Sequence, residues 1–305
     1  MYQQMTKVHR ITSLLLLILF LSWISCSPST DSNKETVRIV SLGTMPTETI
    51  VSLGCADRLV GIDQSAAPFS YQAPNAQMLN YHRQTSSEGV ISLRPSHFIF
   101  TDAAGPEAAI EQIKGSGIQY LEVKEPSNWE EVVTNIESIA TFIGADSAGK
   151  DLVQQMNDQK SKADSLLESR GQVVSPKVLF VLSSGNGGSL LCAGTKSGAG
   201  TVIQMAGGEN AAYGFDGYKP ISSEALAELN PDIILYPTGG GPHGGNDMDV
   251  RLKENSGLKS GKAVAEDQVY GVDMTAMLGF GPSLGPQLVK LVGLFYSDPQ
   301  DHFSD

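Results

Sequence analysis

The sequence predicts an α/β protein with two α/β lobes joined by a long spine helix and a ligand cleft between the lobes. Short apolar runs alternate with segments of helical periodicity, a pattern typical of parallel sheets covered by helices. In addition, one motif occurs twice. Ser86-Ser87-Glu88 and Ser222-Ser223-Glu224 are each followed by a leucine five residues after the glutamate, a proline seven residues after it and an apolar run. Two copies of one motif indicate two similar lobes.

The segment between the two copies includes a stretch that predicts one long helix. From Ser147 to Arg170 the chain contains no proline and a single glycine near the start. A helix of about 24 residues would be roughly 36 Å long, and its sparse apolar positions suit a helix that lies across two lobes. We therefore divide the chain into a signal peptide at 1–25, a tether at 26–36, an N-terminal lobe at 37–145, the spine helix at 146–171 and a C-terminal lobe at 172–305.

The N-terminus has the features of a secretory signal. Lys7 and Arg10 precede the apolar run 14–21, which is too short to span a bilayer comfortably. Residues 21–25 and the following Cys26 resemble a bacterial lipoprotein signal, although Trp23 departs from its usual pattern. This resemblance implies that Cys26 is acylated and becomes the new N-terminus. The alternative is an ordinary signal peptide that is cut nearby, with Cys26 incidental.

Charge and cysteine content exclude several classes of protein. Without residues 1–25 the chain has 19 basic and 33 acidic residues, because that segment contains two of the 21 basic residues and none of the 33 acidic ones. A net charge of −14 disfavours nucleic acid and anionic membranes as partners. Beyond Cys26 only Cys55 and Cys192 remain, in opposite halves of the chain, so we expect buried thiols and no disulfide framework.

The elements of the first half follow from apolar runs and turn residues. Residues 38–42 predict the first strand, Gly43-Thr44-Met45-Pro46 a turn into a helix that ends near Gly54, and 59–62 the second strand. Residues 63–80 lack any period and predict a loop that leads into Tyr81. Strand, helix and strand are predicted at 97–101, 107–114 and 119–123, then a helix from Asn128 to Gly144, with Asp146 as the cap of the next helix.

The second half restarts the α/β pattern with a strand at 177–182. Further elements are predicted at 201–205 and 222–229 as helices, at 232–236 and 269–274 as strands, and at 287–296 as a closing helix. In open α/β sheets, ligands bind beyond the carboxyl ends of the strands. Met45, the loop before Tyr81, the glycine-rich loop 185–188 and His243 all fall at such ends, so we expect them to line one cleft.

Tyr81-His82-Arg83 is the strongest candidate for ligand chemistry. In an extended segment, Tyr81 and Arg83 would face one target while His82 faces elsewhere. A guanidinium beside a phenol favours the phenolate, and tyrosinate is a known ligand of haem iron. The alternative is a surface tyrosine beside a structural arginine. His97 opens an apolar run and is expected to be a core or strand-end residue.

Several motifs in order carry a resemblance to a known family. They are Tyr81-x-Arg83, Ser87-Glu88-Gly89-Val90, Leu93-Arg94-Pro95, Ala206-Gly207-Gly208-Glu209-Asn210, Gly217-Tyr218-Lys219-Pro220, Ser223-Glu224-Ala225-Leu226 and Leu278-Gly279-Phe280-Gly281-Pro282. From Arg38 to about Gly285 the chain resembles the periplasmic binding proteins that feed ABC importers for iron complexes and cobalamin. It is most similar to the haem-binding branch.

This resemblance implies a ligand site. It implies that Tyr81 binds haem iron and that Arg83 supports it. Some relatives add a histidine from the loop at 183–188, which has none here, so His243 is a candidate substitute. Candidates for contacts with the porphyrin, because apolar and aromatic groups suit it, are Met45, Tyr218, Met274, Met277 and Phe280, each of which could equally be core.

The same resemblance implies two docking points for a permease. Each lobe of these proteins presents a glutamate to arginines on the permease, and Glu88 and Glu224 have equal offsets to leucine and proline in the two motif copies. Both glutamates also have a local explanation. Thr85-x-x-Glu88 is a capping box, and Glu224 lies in the first turn of its helix.

The sequence therefore predicts a substrate-binding lipoprotein, anchored through Cys26 in the periplasm or cell envelope, that captures haem and delivers it to an ABC importer. It is not expected to be an enzyme. A ferric siderophore or a corrinoid is the alternative ligand. A secreted hydrolase that uses Ser283, within the Gly-x-Ser-x-Gly pattern at 281–285, is the other alternative. Ser283 also stands where many haem-binding relatives would have arginine. Gly194-Thr195-Lys196-Ser197 lacks the spacing of a phosphate loop and predicts a turn.

Overall fold

The first half of the chain forms a five-stranded parallel sheet. The computed structural model describes residues 37–171, 174–185, 188–238 and 247–296. Strands β1 to β5 are Ile39–Leu42, Leu59–Asp63, Gln77–Leu79, His97–Thr101 and Gln119–Val123. Their order is β3-β2-β1-β4-β5, so the chain builds outward from β1 in one direction and then in the other. Such a reversal beside β1 is where α/β sheets form a crevice.

Helices cover this sheet on both faces. They are α1 (Thr44–Ser52), α2 (Ser87–Ser92), α3 (Glu107–Lys114) and α4 (Trp129–Phe142). Because both faces are covered, neighbouring residues of the central strands are buried on opposite faces, and Ile39, Val40, Phe98 and Ile99 are fully buried. We call β1 to β5 with α1 to α4 the N-terminal lobe.

One helix of 24 residues, α5 (Asp146–Ser169), follows the N-terminal lobe. It packs against α4 and against the closing helix of the chain, Leu284–Tyr296. A side chain at Gly149 would lie 2.5 Å from Cβ of Ala140, so α4 and α5 approach closely only because position 149 is glycine. The predicted spine helix is therefore present. Its N-cap is Ala145, which was not predicted; Asp146 is instead the first helical residue and accepts a hydrogen bond from Thr141.

The second half of the chain forms a six-stranded mixed sheet. Strands β6 to β11 are Lys177–Ser184, Leu190–Ala193, Glu209–Asn210, Tyr218–Ile221, Ile233–Thr238 and Val269–Asp273. The order is β11-β10-β6-β7-β9, with β8 paired to β6. Strands β10, β11 and β8 are parallel to their partners, whereas β7 pairs antiparallel with both β6 and β9.

Helices α6 to α11 complete what we call the C-terminal lobe. They are Gly198–Met205, Ser223–Leu229, Met248–Glu254, Lys262–Ala265, Met274–Leu278 and Leu284–Tyr296. Two α/β lobes joined by α5 confirm the predicted fold class. The bounds assigned above to the lobes stay predictions.

Four strands, β3, β7, β8 and β9, were not predicted. Strand β3 lies within the expected loop 63–80; it has only three residues, two of them exposed, so it carries no apolar run. Strands β7 and β9 are short as well, and β9 contains Pro220 at the edge of the sheet, where a proline removes no ladder hydrogen bond. These strands have only two to four residues, too few for the alternation that makes a strand visible in a sequence.

One hydrophobic cluster runs through both lobes. It includes Ile136 of α4, Met156 of α5 and Leu288 of α11. Cys55 and Cys192 are buried and unbridged, as predicted. Within the described ranges, no helix has the length and apolar character needed to cross a membrane.

Candidate ligand-binding site

Tyr81 lies just beyond the carboxyl end of β3, and its side chain is 38% exposed. Residues 82–84 form a turn of 3-10 helix, in which the N–H of Gln84 donates to the carbonyl of Tyr81 at 2.7 Å. The segment is therefore curled, and the expectation that it is extended was wrong. We call residues 80–86 the Tyr81 loop.

A buried carboxylate anchors this loop to the sheet. Asp63, the last residue of β2, has no exposed surface. It accepts hydrogen bonds from the backbone N–H of Gly43 at 2.7 Å, of Ser65 at 3.0 Å and of His82 at 3.0 Å. The Ser65 hydroxyl at 3.0 Å and Nδ1 of His82 at 3.1 Å donate to it as well. The ring of His82 contacts that of Tyr81, with centroids 4.2 Å apart.

These contacts determine the charge of Asp63. Burial alone would raise the pKa of the Asp63 carboxyl, but the hydrogen bonds from His82, Gly43 and Ser65 together lower that pKa below its ordinary value. The carboxylate is therefore ionised at neutral pH. Because a carboxylate only accepts hydrogen bonds, Nδ1 of His82 carries a proton.

Arg83 shares the carboxyl edge of the sheet with two acidic residues. Asp102 directly follows β4, and Glu125 lies two residues beyond β5. Partial desolvation and the Asp102 carboxylate raise the pKa of Glu125, and the positive charge of Arg83 opposes them. One cation and two carboxylates thus lie within electrostatic reach of one another beside the Tyr81 loop.

Glu125 also reaches the C-terminal lobe. A side chain at Gly198, the first residue of α6, would lie 3.2 Å from Oε1 of Glu125 and 3.1 Å from the ring of Phe280. Burial raises the pKa of the Tyr218 phenol to about 12, against the effects of the Ala199 N–H and the Ser197 hydroxyl, and Glu125 adds to the increase. Arg83 and Tyr218, both predicted site residues, are therefore both brought within electrostatic reach of Glu125.

The two lobes also meet at α1. The carboxylate of Glu48 is 5% exposed and accepts a hydrogen bond of 2.6 Å from the backbone N–H of Ser283. A side chain at Gly281 would overlap Oε2 of Glu48, and one at Gly279 would lie 3.0 Å from Cγ2 of Thr44. Burial raises the pKa of Glu48 to about 7, with Ser283 opposing the increase. We call this contact between α1 and residues 279–283 the floor of the cleft.

The remaining predicted contacts lie deeper. Met45, Met277 and Phe280 are buried in the hydrophobic cluster that runs through both lobes, and Tyr218 packs against it. Their proximity to the floor is consistent with a ligand above them, although Met45 and Phe280 have almost no exposed surface. His243 and Cys26 lie outside the described residues. No group of three or more His, Cys, Asp and Glu side chains could hold a metal in the part of the chain that the structure describes.

Glu88 and Glu224 both lie exposed in the first turns of short helices, α2 and α7. The N-cap of α2 is Ser86, whose hydroxyl accepts from the N–H of Gly89 at 3.2 Å. Thr85 was predicted as this cap, but its hydroxyl donates to the carbonyl of His82 at 2.6 Å. The predicted capping box was therefore wrong: the cap lies one residue later, and the residue three positions after it is Gly89 rather than a glutamate. In the second copy, the hydroxyl of Ser222 caps α7.

Two further predictions concern Lys196 and His97. Lys196 lies in a turn between β7 and α6 and pairs with Asp216 at 3.0 Å, as a turn segment would. His97 is the first residue of β4 and contacts the ring of Phe142, with centroids 4.9 Å apart. Burial lowers the pKa of His97, with the charge of Arg58 adding to the effect.

Sequence reasoning missed Asp63, Glu48 and Glu125. Each had a weak signal: Asp63 ends the buried strand β2, Glu125 lies two residues beyond β5, and Glu48 interrupts a run of buried residues in α1. His82 was expected to face away from the ligand, and the structure shows that it faces Asp63.

Comparison with known proteins agrees with this architecture. The family model described as periplasmic binding protein matches residues 39–276. The chain is similar to the solved structure of the periplasmic haem-binding protein BhuT in complex with two haems, with 31% identity, a TM-score of 0.77, and coverage of 85% of this chain and 97% of that one.

A second solved structure is the apo form of the periplasmic haem-binding protein RhuT from Roseiflexus sp. RS-1. It is 30% identical, with a TM-score of 0.76 and coverage of 86% of this chain and 98% of that one. An uncharacterised ABC transporter substrate-binding lipoprotein of Bacillus subtilis, YvrC, is 26% identical over 274 residues, which cover 87% of this chain and 82% of YvrC. The match over residues 39–276 and the identity to BhuT and RhuT show that this chain belongs to the periplasmic binding protein family.

Proposed function

We propose that this protein captures haem in the cleft between its lobes and delivers it to an ABC importer. The observation that carries the proposal is Tyr81, an exposed phenol on a loop that a buried carboxylate anchors at the carboxyl edge of the sheet. Similarity to BhuT and RhuT, both described as haem-binding, supports the same ligand. The family is one of binding proteins, and the proposal involves no catalysis.

The chemistry of Tyr81 suits ferric haem. Phenolate is a hard anionic ligand, and tyrosine is an established axial ligand of haem iron. Arg83, two residues later, supplies a positive charge that attracts the haem propionates. Tyr218 and Phe280 are the aromatic residues of the C-terminal lobe near Glu125, and aromatic groups suit a porphyrin.

A haem titration followed by absorption tests this proposal. The protein from Ser27 onward should give a saturable high-spin spectrum of the tyrosinate type, and Tyr81→Phe should lose it. Tyr213→Phe is the matched control, because Tyr213 is an exposed tyrosine, 70% accessible, that is remote in sequence from the proposed site. The titration continues past two equivalents, since BhuT is described with two haems.

Two results would contradict the proposal. If Tyr81→Phe keeps the wild-type spectrum, Tyr81 is not the iron ligand. If the wild type shows no saturable change, haem is not the ligand, and ferric siderophores and corrinoids become the compounds to titrate.

Delivery to the importer is assigned to Glu88 and Glu224. The two glutamates occupy equivalent positions, each exposed in the first turn of a helix that a serine caps. Hydrogen bonds from its own backbone N–H and from Ser222 lower the pKa of Glu224, so its carboxylate is ionised and able to pair with an arginine. YvrC, an ABC transporter lipoprotein by name, supports both this partner and an anchor through Cys26.

A further inference from the structure

From the geometry around Tyr81, we infer that Asp63 and His82 are positioning residues that hold the Tyr81 phenol ready for its ligand. This inference rests on the proposed function of Tyr81. It assigns no metal contact to either residue. It concerns the hydrogen bonds that fix the backbone and the ring on which the phenol is carried.

The first step is the backbone. The amide N–H that donates to Asp63 belongs to His82, so it is part of the peptide group that follows Tyr81. The carbonyl of His82 accepts from the Thr85 hydroxyl at 2.6 Å and from the N–H of Gly105 at 2.9 Å. Both polar groups of the His82 backbone are therefore hydrogen-bonded. These hydrogen bonds fix the direction in which the side chain of Tyr81 projects from the loop.

The second step is the side chain. The imidazole of His82 is held by Asp63 at 3.1 Å and contacts the Tyr81 ring with an angle of 46° between the ring planes. One face of the phenol is thus covered by a ring that itself cannot turn without breaking the bond to a buried carboxylate. His82 is 8% exposed, whereas Tyr81 is 38% exposed, so the anchor is buried and the ligand group is open.

The third step is the link to the sheet. Asp63, the last residue of β2, also accepts from Gly43, directly after β1, and from Ser65, two residues after β2. Gly43 has φ of 116°, and a side chain there would lie 2.5 Å from Thr101 Cγ2, so no other residue fits this position without strain. The Tyr81 loop is thereby attached to β1 and β2, two interior strands of the sheet.

Hydrogen-bond partners that orient a metal-binding side chain commonly change its affinity by about 10- to 100-fold when they are removed. We expect an effect of this size on haem dissociation, measured by transfer to an excess of an apo-globin. Asp63→Asn replaces an acceptor oxygen with an N–H₂ group that cannot accept. His82→Phe keeps a ring beside Tyr81 and removes the Nδ1 donor.

His82→Asn is the conservative rescue, because its Nδ2 can occupy the place of Nδ1 and donate to Asp63. We expect haem to dissociate about 10- to 100-fold faster from Asp63→Asn and His82→Phe. Dissociation from His82→Asn should be slower than from His82→Phe and faster than from the wild type, because asparagine restores the donor to Asp63 but not the ring contact with Tyr81. The tyrosinate charge-transfer band of the bound form should shift in the first two variants only. A loss of stability alone would leave that band unchanged.

Asp232→Asn is the control for lost stability. Asp232 accepts from the N–H of Lys177 and from Nζ of Lys262, both at 2.7 Å, so its replacement by asparagine also removes one hydrogen-bonded acceptor oxygen, but at the start of β6 and far along the chain from Tyr81. It should leave the dissociation rate and the spectrum unchanged. Wild-type rates for Asp63→Asn and His82→Phe, or a His82→Asn variant as impaired as His82→Phe, would overturn the inference.

A measurement without haem separates this inference from the proposed function. In the ligand-free protein, hydrogen exchange of the His82 amide should be faster in Asp63→Asn than in the wild type and unchanged in Asp232→Asn. If haem does not bind at all, the proposed function fails while this exchange result still decides whether Asp63 holds the loop. If haem binds through Tyr81 and the exchange is unchanged, only the inference fails.

Discussion

Glu48 in the N-terminal lobe and Ser283 in the C-terminal lobe are 235 residues apart in sequence and are joined by a hydrogen bond of 2.6 Å. The bond runs from a backbone N–H to a carboxyl group that is almost fully buried. The other oxygen of this carboxyl, Oε2, accepts no hydrogen bond within the described part of the chain. Burying a carboxylate that accepts only one hydrogen bond costs free energy, and this cost is absent when the carboxyl group is protonated. The stability of the contact between the lobes therefore depends on pH.

The first prediction is that the stability of the protein decreases as Glu48 ionises. Burial raises the pKa of Glu48 from 4.5 to about 7, and the Asp273 carboxylate adds to the increase against the effect of Ser283. The folded protein therefore favours the protonated form. This contribution to stability is fully present below pH 4.5 and is lost as the pH increases through about 7.

Glu48→Gln stays neutral and keeps an acceptor for Ser283. We expect its free energy of unfolding to match that of the wild type near pH 4 and to exceed it by roughly 3 kcal/mol near pH 8, from about 1.4 kcal/mol per unit of pKa difference. Urea unfolding across this range measures the difference. The exposed Glu137→Gln should show no such trend. A constant difference between Glu48→Gln and the wild type would contradict the prediction.

The second prediction concerns Gly281, where an added Cβ would overlap Oε2 of Glu48. Gly281→Ala should destabilise the protein by about 1–3 kcal/mol, as overpacking of a close contact usually does. The double variant Glu48→Ala with Gly281→Ala should recover part of this loss, because the overlapping atoms are gone. Unfolding of the four proteins gives the coupling energy. Strictly additive effects would show that the two residues do not share the contact.

The third prediction is that Glu125 weakens the binding of an anionic ligand. Its carboxylate lies within electrostatic reach of Arg83, so it competes with haem propionates for that cation. Glu125→Gln should tighten haem binding by about two- to fivefold, which corresponds to an exposed charge pair of about 0.5–1 kcal/mol. The gain should decrease as salt is added. Weaker binding by Glu125→Gln would mean that the carboxylate takes part in holding the ligand.

The same residue gives a pH dependence. Partial desolvation and Asp102 raise the pKa of Glu125, so its negative charge is lost at a higher pH than for an ordinary glutamate. We expect the advantage of Glu125→Gln over the wild type to shrink as the pH is lowered. Titrations of both proteins at several pH values measure this ratio.

The fourth prediction separates capture from delivery. Glu88→Gln and Glu224→Gln should leave the haem titration unchanged, because both side chains are exposed and neither belongs to the proposed ligand site. Each should reduce uptake by cells that depend on this protein, and the double variant should reduce it further. Glu130→Gln, another exposed glutamate in the first turn of a helix, is the control. Loss of haem binding in Glu88→Gln would contradict the assignment.

Part of this molecule could be predicted because its signals are local. The helix α5 was visible as a long segment free of proline, and β4 as an unbroken apolar run. Tyr81 and Arg83 could be selected because a phenol and a guanidinium two residues apart suggest one chemistry. The backbone conformation of the Tyr81 loop was harder to predict from the sequence. An extended segment was considered, whereas hydrogen bonds donated by Gln84, Thr85 and Gly105 curl the loop.

The partners of buried charges could not be predicted, because they are distant in the chain. Asp63 precedes His82 by 19 residues, and Glu48 precedes Ser283 by 235. Nothing in the spacing of either pair distinguishes it from other pairs of polar residues. Such contacts are decided by the order of strands in a sheet and by the packing of one lobe on the other, which only the folded chain shows.

The close fit of α5 on both sides has a mechanical consequence. Gly149 allows α5 to pack closely on Ala140 of α4, and a side chain at Gly285 in α11 would lie 3.0 Å from Cβ of Gln159 in α5. Helix α5 is therefore in close contact with a helix of each lobe. A joint built this way bends little. We expect a bound ligand to enter and leave through small shifts of the loops at the opening of the cleft, rather than through a large movement of one lobe relative to the other. An importer that receives the ligand would then act by displacing those loops.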